Sequence, residues 1–200
     1  MIAYIRGKIT TRTATHVVLE SNGIGYSLQI SLNTYSALQA LNECQLHTYI
    51  HITGGTQSPL IITLFGFYDE AEKGMFVHLL SINGVGANTA RLILSELKPE
   101  EIQQAIVLQD AVRFERIKGI GPKTAQRIIL ELKDKMSKVT IHSSKNESEL
   151  YNNIESEALS ALIMLGFNKA TANAALQKAT KQLGGELTLE ALIKQSLRNL

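Results

Sequence analysis

Two glycine-centred segments, 35 residues apart, hold the residue types best suited to chemistry, and that chemistry is anion binding. Residues 82–98 read INGVGANTARLILSELK and residues 117–133 read IKGIGPKTAQRIILELK, with nine of seventeen aligned positions identical. In each copy one apolar residue separates two glycines, Gly84 and Gly86 or Gly119 and Gly121, and a helical pattern resumes at once. Glycine allows positive φ and close approach of another backbone. The first amides of the following helix point outward unpaired, which suits them to phosphate. Arg116, Lys118, Lys123 and Arg127 surround the second copy, while Asn83 and Asn88 occupy the first-copy positions of Lys118 and Lys123. A neutral Asn can hydrogen-bond a phosphate but releases no counterion. A lone Gly-x-Gly reads most simply as a helix connection. Two copies, with a threonine repeated at the same offset (Thr89 and Thr124), favour a ligand with repeating phosphates, and nucleic acid is the natural one. The expected contact set is Asn83, Gly84, Gly86, Asn88, Lys118, Gly119, Gly121, Lys123, Thr124 and Arg127.

Other chemistries fit poorly. Gly121-Pro122-Lys123-Thr124 looks like the end of a Walker A loop, but Pro122 stands where a glycine must precede the lysine. A dinucleotide fingerprint would need a third glycine where Thr124 stands. The five histidines are scattered; His47 and His51 can share one strand face but lack a third ligand nearby. Cys44 reads as a packed thiol rather than a nucleophile. Residues 1–67 contain just two acids, Glu20 and Glu43, too few for a metal-dependent nuclease centre there. No catalytic residue, metal or cofactor is expected.

Several elements must position these hairpins. Residues 1–67 alternate as short strands, with turns at Asn22-Gly23-Ile24-Gly25 and Gly54-Gly55-Thr56-Gln57-Ser58-Pro59, and a short helix inserted over 33–41. A small oligonucleotide-binding (OB) type barrel tolerates such an insertion; an SH3-like barrel or plain meander fits the pattern equally. Residues 68–136 turn helical. Asp69 and Glu72 are spaced as a capping box, Pro99 opens a helix and Asp110 caps another, giving a tandem helix-hairpin-helix domain. Residues 137–153 are polar and aperiodic and read as a linker. Residues 154–200 form three helices, the second stopped by Gly184-Gly185. Their core is marginal, so a partner is expected. The whole is an α+β multidomain chain. With 44% apolar residues and a net charge of +2, any nucleic-acid binding must come from a local patch. The single cysteine fits a reducing compartment, neither a signal sequence nor a membrane span is evident, and a cytoplasmic location is expected.

Over nearly its full length the sequence resembles the RuvA family, the Holliday-junction-binding subunits of bacterial branch-migration complexes. Ile5-Arg6-Gly7, Asn22-Gly23-Ile24-Gly25-Tyr26 and Leu64-Phe65-Gly66-Phe67 are similar to that family's first domain. Asn83-Gly84-Val85-Gly86 and Lys118-Gly119-Ile120-Gly121 are similar to its paired hairpins, and Leu165-Gly166-Phe167 to the loop of its C-terminal, UBA-like domain. The resemblance implies a non-enzymatic homotetramer, with an octamer as the paired form, that holds a four-way DNA junction open in recombination and repair. It implies a RuvB-like ATPase motor as partner, with a RuvC-like resolvase as a further one. Leu162, Leu165 and Leu189 are candidates for the motor-binding face. Two positions depart from the family pattern. Asn88 stands where a lysine is usual, and the loop holding Gly54, Gly55, Thr56 and Gln57 lacks the paired acids of the family's junction-centre pin. A helix-hairpin-helix repair enzyme, or a protein adaptor without DNA binding, are the rival readings of the residues alone.

Overall fold

Short-range chemistry sets the second hairpin of the barrel. Asn22 and Gly23 adopt φ of 51° and 78°, the two left-handed residues that a type I′ hairpin needs. They join β2 (His16–Ser21) to β3 (Ile24–Gln29) in a register running from Ser21↔Ile24 to His16↔Gln29. β2 starts at His16. The Thr13 hydroxyl holds the preceding turn by accepting from the amides of Thr15 and His16, at 3.3 and 3.0 Å. β1 (Tyr4–Arg12), β4 (Glu43–Gly55) and β5 (Ser58–Phe67) complete a closed barrel in the order β1-β2-β3-β5-β4. A meander would pair β3 with β4. Here β3 instead meets β5 in parallel at Gln29↔Phe65, with α1 (Leu32–Leu38) inserted before β4, so the barrel is of the OB type.

The structure, a computed structural model, describes residues 2–55, 58–137, 148–183 and 188–200. Thr56 and Gln57 of the expected pin loop, residues 138–147 of the expected linker and the Gly184-Gly185 helix stop lie outside the described residues. The chain divides into two compact units, Met1–Met136 and Ser137–Leu200.

In the first unit the barrel is followed by α2 (Glu70–Leu80), α3 (Ala87–Glu96), α4 (Pro99–Val107), α5 (Ala111–Glu115) and α6 (Pro122–Ser137). Pro99 is the first helical residue of α4, and Asp110 caps α5 by accepting from the Arg113 amide at 3.3 Å. Phe65 and Phe67 on the outer face of β5 pack against Phe76 of α2, with ring centroids 4.9 Å apart in both pairs. One apolar core therefore runs from the barrel wall through Leu79, Ile93, Ile102 and Phe114 to Ile128. A second core fills the barrel interior.

The second unit contains α7 (Ser148–Met164), α8 (Lys169–Leu183) and α9 (Leu189–Arg198) around Ala158, Leu162, Leu176 and Leu192. Among the described residues no helix is long and apolar enough to cross a membrane.

Candidate nucleic-acid interface

The sequence repeat is a repeat of geometry. In the first hairpin the Val85 amide donates to the Ile82 carbonyl at 3.0 Å; in the second, Ile120 donates to Ile117 at 3.0 Å. Gly84 and Gly119 both have φ of 91°. A positive φ at the third residue of such a turn defines type II, where glycine is the favoured residue. The helical ladder then begins with Ala90 to Gly86 at 2.9 Å and Ala125 to Gly121 at 3.0 Å. Burial repeats as well. Ile82 and Val85, like Ile117 and Ile120, are buried anchors, and the residues between them are exposed.

The amides of Asn88 and Thr89, and of Lys123 and Thr124, precede the first helical bond of α3 and α6, so they face outward with the positive end of the helix dipole. Gly86 caps α3 without any side-chain bond. Neither Gly86 nor Gly121 has a positive φ, and a Cβ placed on either would meet nothing within 4 Å. The chain's own packing does not require glycine there. Glycine, with no side chain, leaves the helix-start amides beside it uncovered.

Asn83, Asn88, Lys118, Lys123 and Arg127 are all exposed, and Thr124 is half-buried. Arg127 reaches across the repeat: its Nη1 donates to the Asn83 carbonyl at 3.1 Å. A Cβ on Gly84 would lie 3.9 Å from the same nitrogen. One guanidinium thus ties the second helix to the first turn and keeps further donors for a ligand. The ion pairs among the described residues use other cations, Arg113 with Glu101 at 3.5 Å and Lys194 with Glu190 at 2.6 Å.

A polar joint missed by sequence reading fixes the hairpins relative to the barrel. Asp69 caps α2, accepting from the Glu72 amide at 2.6 Å, but the reciprocal half of the expected capping box is replaced. The Glu72 side chain turns inward, where it is 2% exposed. Its carboxylate accepts from the Ser31 hydroxyl, and from Thr34 Oγ1 at 2.6 Å. Burial pushes the Glu72 carboxyl above its ordinary range, and Asp69 adds to this; the Ser31 and Thr34 hydroxyls pull the other way. Asn33 Nδ2 donates to the carbonyls of Leu94 and Leu97, at 2.6 and 3.2 Å. Arg91 Nη1 donates to the Thr15 carbonyl at 3.1 Å. The donors Asn33 and Arg91 lie far in sequence from their acceptors, so only the fold reveals the pairing.

The remaining expected residues fall differently. Gly54 has φ of 98°, and a Cβ there would collide with the Pro59 carbonyl, so this glycine serves the bulge between Thr53 and Gly55. Gly55 pairs with Ser58; Thr56 and Gln57 lie outside the described residues. In the second unit Leu162 is fully buried and Leu189 packs against the same core. Leu162 therefore builds the domain's own core, and Leu189 is half-buried against it. Leu165 is 60% exposed beside Met164 and Ile163.

Comparison with known proteins gives matches along the chain. Residues 1–66 match the family described as RuvA N terminal domain, 76–134 the SAM-like helix-hairpin-helix tandem, and 153–200 the RuvA C-terminal domain. Among similar proteins, that of Cytophaga hutchinsonii is 46% identical over 202 residues, covering 99% of each chain. That of Amoebophilus asiaticus is 44% identical over 99% of this chain and 100% of its own. That of Christiangramia forsetii is 40% identical over all of both. All three are named Holliday junction branch migration complex subunit RuvA. Identity of this degree from end to end, on a barrel followed by duplicated hairpins and a separate helical unit, leads to one conclusion: the chain belongs to the RuvA family.

Proposed function

We propose that this protein binds four-way junction DNA without sequence preference, holds it open and serves as the DNA-binding subunit of an ATP-driven branch-migration assembly. The observation that supports this most is the pair of matched hairpins in which Gly86 and Gly121 are exposed and a Cβ on either would meet nothing within 4 Å, beside helix-start amides without a helical partner. Asn83, Asn88, Lys118, Lys123, Thr124 and Arg127 would take phosphates, with the four hairpin glycines shaping the approach. Such contacts position DNA and carry no base code, so selectivity must come from the shape of the junction. The names of the relatives support the same substrate and assembly.

In this reading ATP hydrolysis belongs to a RuvB-like motor, engaged by the exposed apolar corner at Leu165 and Met164 of the C-terminal unit. A RuvC-like resolvase would act on the opened junction. The assembly would be a homotetramer, one subunit per arm, pairing into an octamer when both faces of the junction are covered. Retardation of a four-way junction against a linear duplex of matched sequence tests the substrate: equal affinity for the two would refute it. Light scattering with and without junction tests the assembly, and a monomer at micromolar concentration in both cases would refute the tetramer.

A further inference from the structure

The barrel wall opens beside its first strand into a cleft of about 290 Å³, lined by Ile2, Tyr4, Ile5, Arg6, Ser21 and Tyr26 and by no hairpin residue. Strand pairing explains the opening. β1 pairs with β4 from Tyr4 to Lys8, but with β2 only from Lys8 to Arg12. Gly7 marks the parting, where a Cβ would collide with the Glu20 carbonyl. Before it β1 supplies Tyr4 and Arg6 to the cleft, and the β2–β3 hairpin supplies Ser21 and Tyr26. Among the described residues none of these four side chains has a hydrogen-bond or ion-pair partner. Register singles out Arg6. Lys8 stands opposite Glu20 on one side and Glu43 on the other, whereas Arg6 stands opposite Gln45, so its charge has no acid directly across. Tyr4 is 56% exposed, while Tyr26 is half-buried against the barrel core. One ring is free and the other is held.

We propose that this cleft binds one unpaired nucleotide, with its base stacked on the Tyr4 ring and its phosphate on Arg6, as a second nucleic-acid site separate from the hairpins. This goes beyond the function proposed above, which needs the hairpins alone. A tyrosine ring accepts the face of any base. Bases in a duplex already cover each other's faces, so Tyr4 selects an unpaired one. The planar guanidinium of Arg6 matches a phosphate with two parallel donors. The hydroxyls of Ser21 and Tyr26 can donate to or accept from the polar edge of the base. Small-molecule sites span roughly 300–1,000 Å³, and a cleft at the bottom of that range has room for a single nucleotide. Other ligands would use less of it. A carboxylate would engage Arg6 and leave the rings idle, and a metal ion would find no carboxylate, thiol or imidazole in the lining.

Fluorescence anisotropy of a short labelled oligothymidylate, titrated with the full-length protein, tests the site, with thymidine monophosphate as competitor. Saturable binding is expected. Tyr4→Ala should weaken it about tenfold by removing one stacked base, and Tyr4→Phe, which keeps the ring, should not. Arg6→Gln should lower the slope of log K against log salt by about 0.7, the share of one single-strand phosphate. Displacement by thymidine monophosphate would identify a free nucleotide as the ligand, and no displacement a nucleotide within a strand; both agree with the proposal. Absence of binding by either probe overturns it. So does an affinity that survives both Tyr4→Ala and Arg6→Gln, since the hairpins would then hold the strand, or a Tyr4→Phe variant as weak as Tyr4→Ala. Thermal melts report whether each variant folds, and Arg6→Gln decides alone if Tyr4→Ala does not. Failure of the unaltered chain to prefer a four-way junction would refute the function proposed above and leave this cleft standing.

Discussion

Replacing Glu72 tests the joint that holds the hairpin domain against the barrel. Ser31 and Thr34 are 1% and 0% exposed, and both hydroxyl protons are committed to the Glu72 carboxylate. Their oxygens are also occupied, accepting from the Thr34 and Tyr68 amides at 3.0 Å each. In Glu72→Ala two buried donors are left without an acceptor, and each costs about 1–3 kcal/mol. The expected loss is therefore about 2–6 kcal/mol. For a unit of this size that lowers the melting temperature by roughly 7–21 °C. Glu72→Gln keeps one acceptor oxygen and should lose less.

The pH dependence separates the two variants further. The Glu72 carboxyl is raised above its ordinary value of 4.5 by burial. A folded-state pKa above the unfolded one favours the protonated folded form. The stabilisation is fully present below the unfolded pKa and fades as pH rises through the folded one. Wild type should therefore lose stability relative to Glu72→Gln as pH climbs from about 4.5, and the loss should level off once the carboxyl has ionised in both states. Thermal melts of both proteins at matched ionic strength would measure this. A wild-type minus Glu72→Gln difference that stays flat across that window, or grows with pH, would refute the buried-carboxylate account.

Four further outcomes are expected. Lys123→Ala should reduce the slope of log K against log salt by about 0.9, one phosphate being no longer neutralised, and weaken all DNA sequences alike; an unchanged slope in a binding titration would mean that this hairpin faces away from DNA. Gly119→Ala should cost about 1–2 kcal/mol in urea melts, because φ of 91° is strained for a side chain. Gly121→Ala should melt within about 0.5 kcal/mol of wild type yet bind junction more weakly; full junction affinity in that variant would mean that its glycine does not serve the approach of DNA. Deleting residues 154–200 should preserve junction retardation and abolish stimulation of the motor's branch migration, since the second unit has its own core; collapse of junction binding would place that segment in the clip.

The hairpins are legible in the sequence because their signal is local. Each glycine lies within four residues of the bond it permits, and the two copies check each other. The barrel is half legible. Alternation marks the strands, but only the Gln29↔Phe65 pairing separates an OB barrel from a meander, and that pairing joins strands far apart in sequence. Glu72 misleads for the same reason. Its spacing from Asp69 satisfies a local rule, while the hydroxyls that claim its carboxylate lie 41 and 38 residues away. In the C-terminal unit Leu162 and Leu165 share one apolar stripe in the sequence. Only packing shows the first to be core and the second to be surface.

The two copies of the repeat also divide their labour. In the first, Arg91 and Ser95 face the barrel: Arg91 donates to the Thr15 carbonyl, and the Ser95 hydroxyl accepts from the Leu32 amide at 3.1 Å. The matching positions in the second copy are Gln126 and Leu130, and both are exposed. Conversely, the second copy has Lys118, Lys123 and Arg127 where the first has Asn83, Asn88 and Leu92. A helix docked to the barrel along one side offers a fixed pair of amides. The copy free of the barrel has room to carry cations. Arg127, bonded to the Asn83 carbonyl, transfers the fixed position of the first turn to the charged second one. Rigidity and charge thus come from different copies of the same motif, which is why identical spacing with different side chains is the expected pattern rather than a defect of the first hairpin.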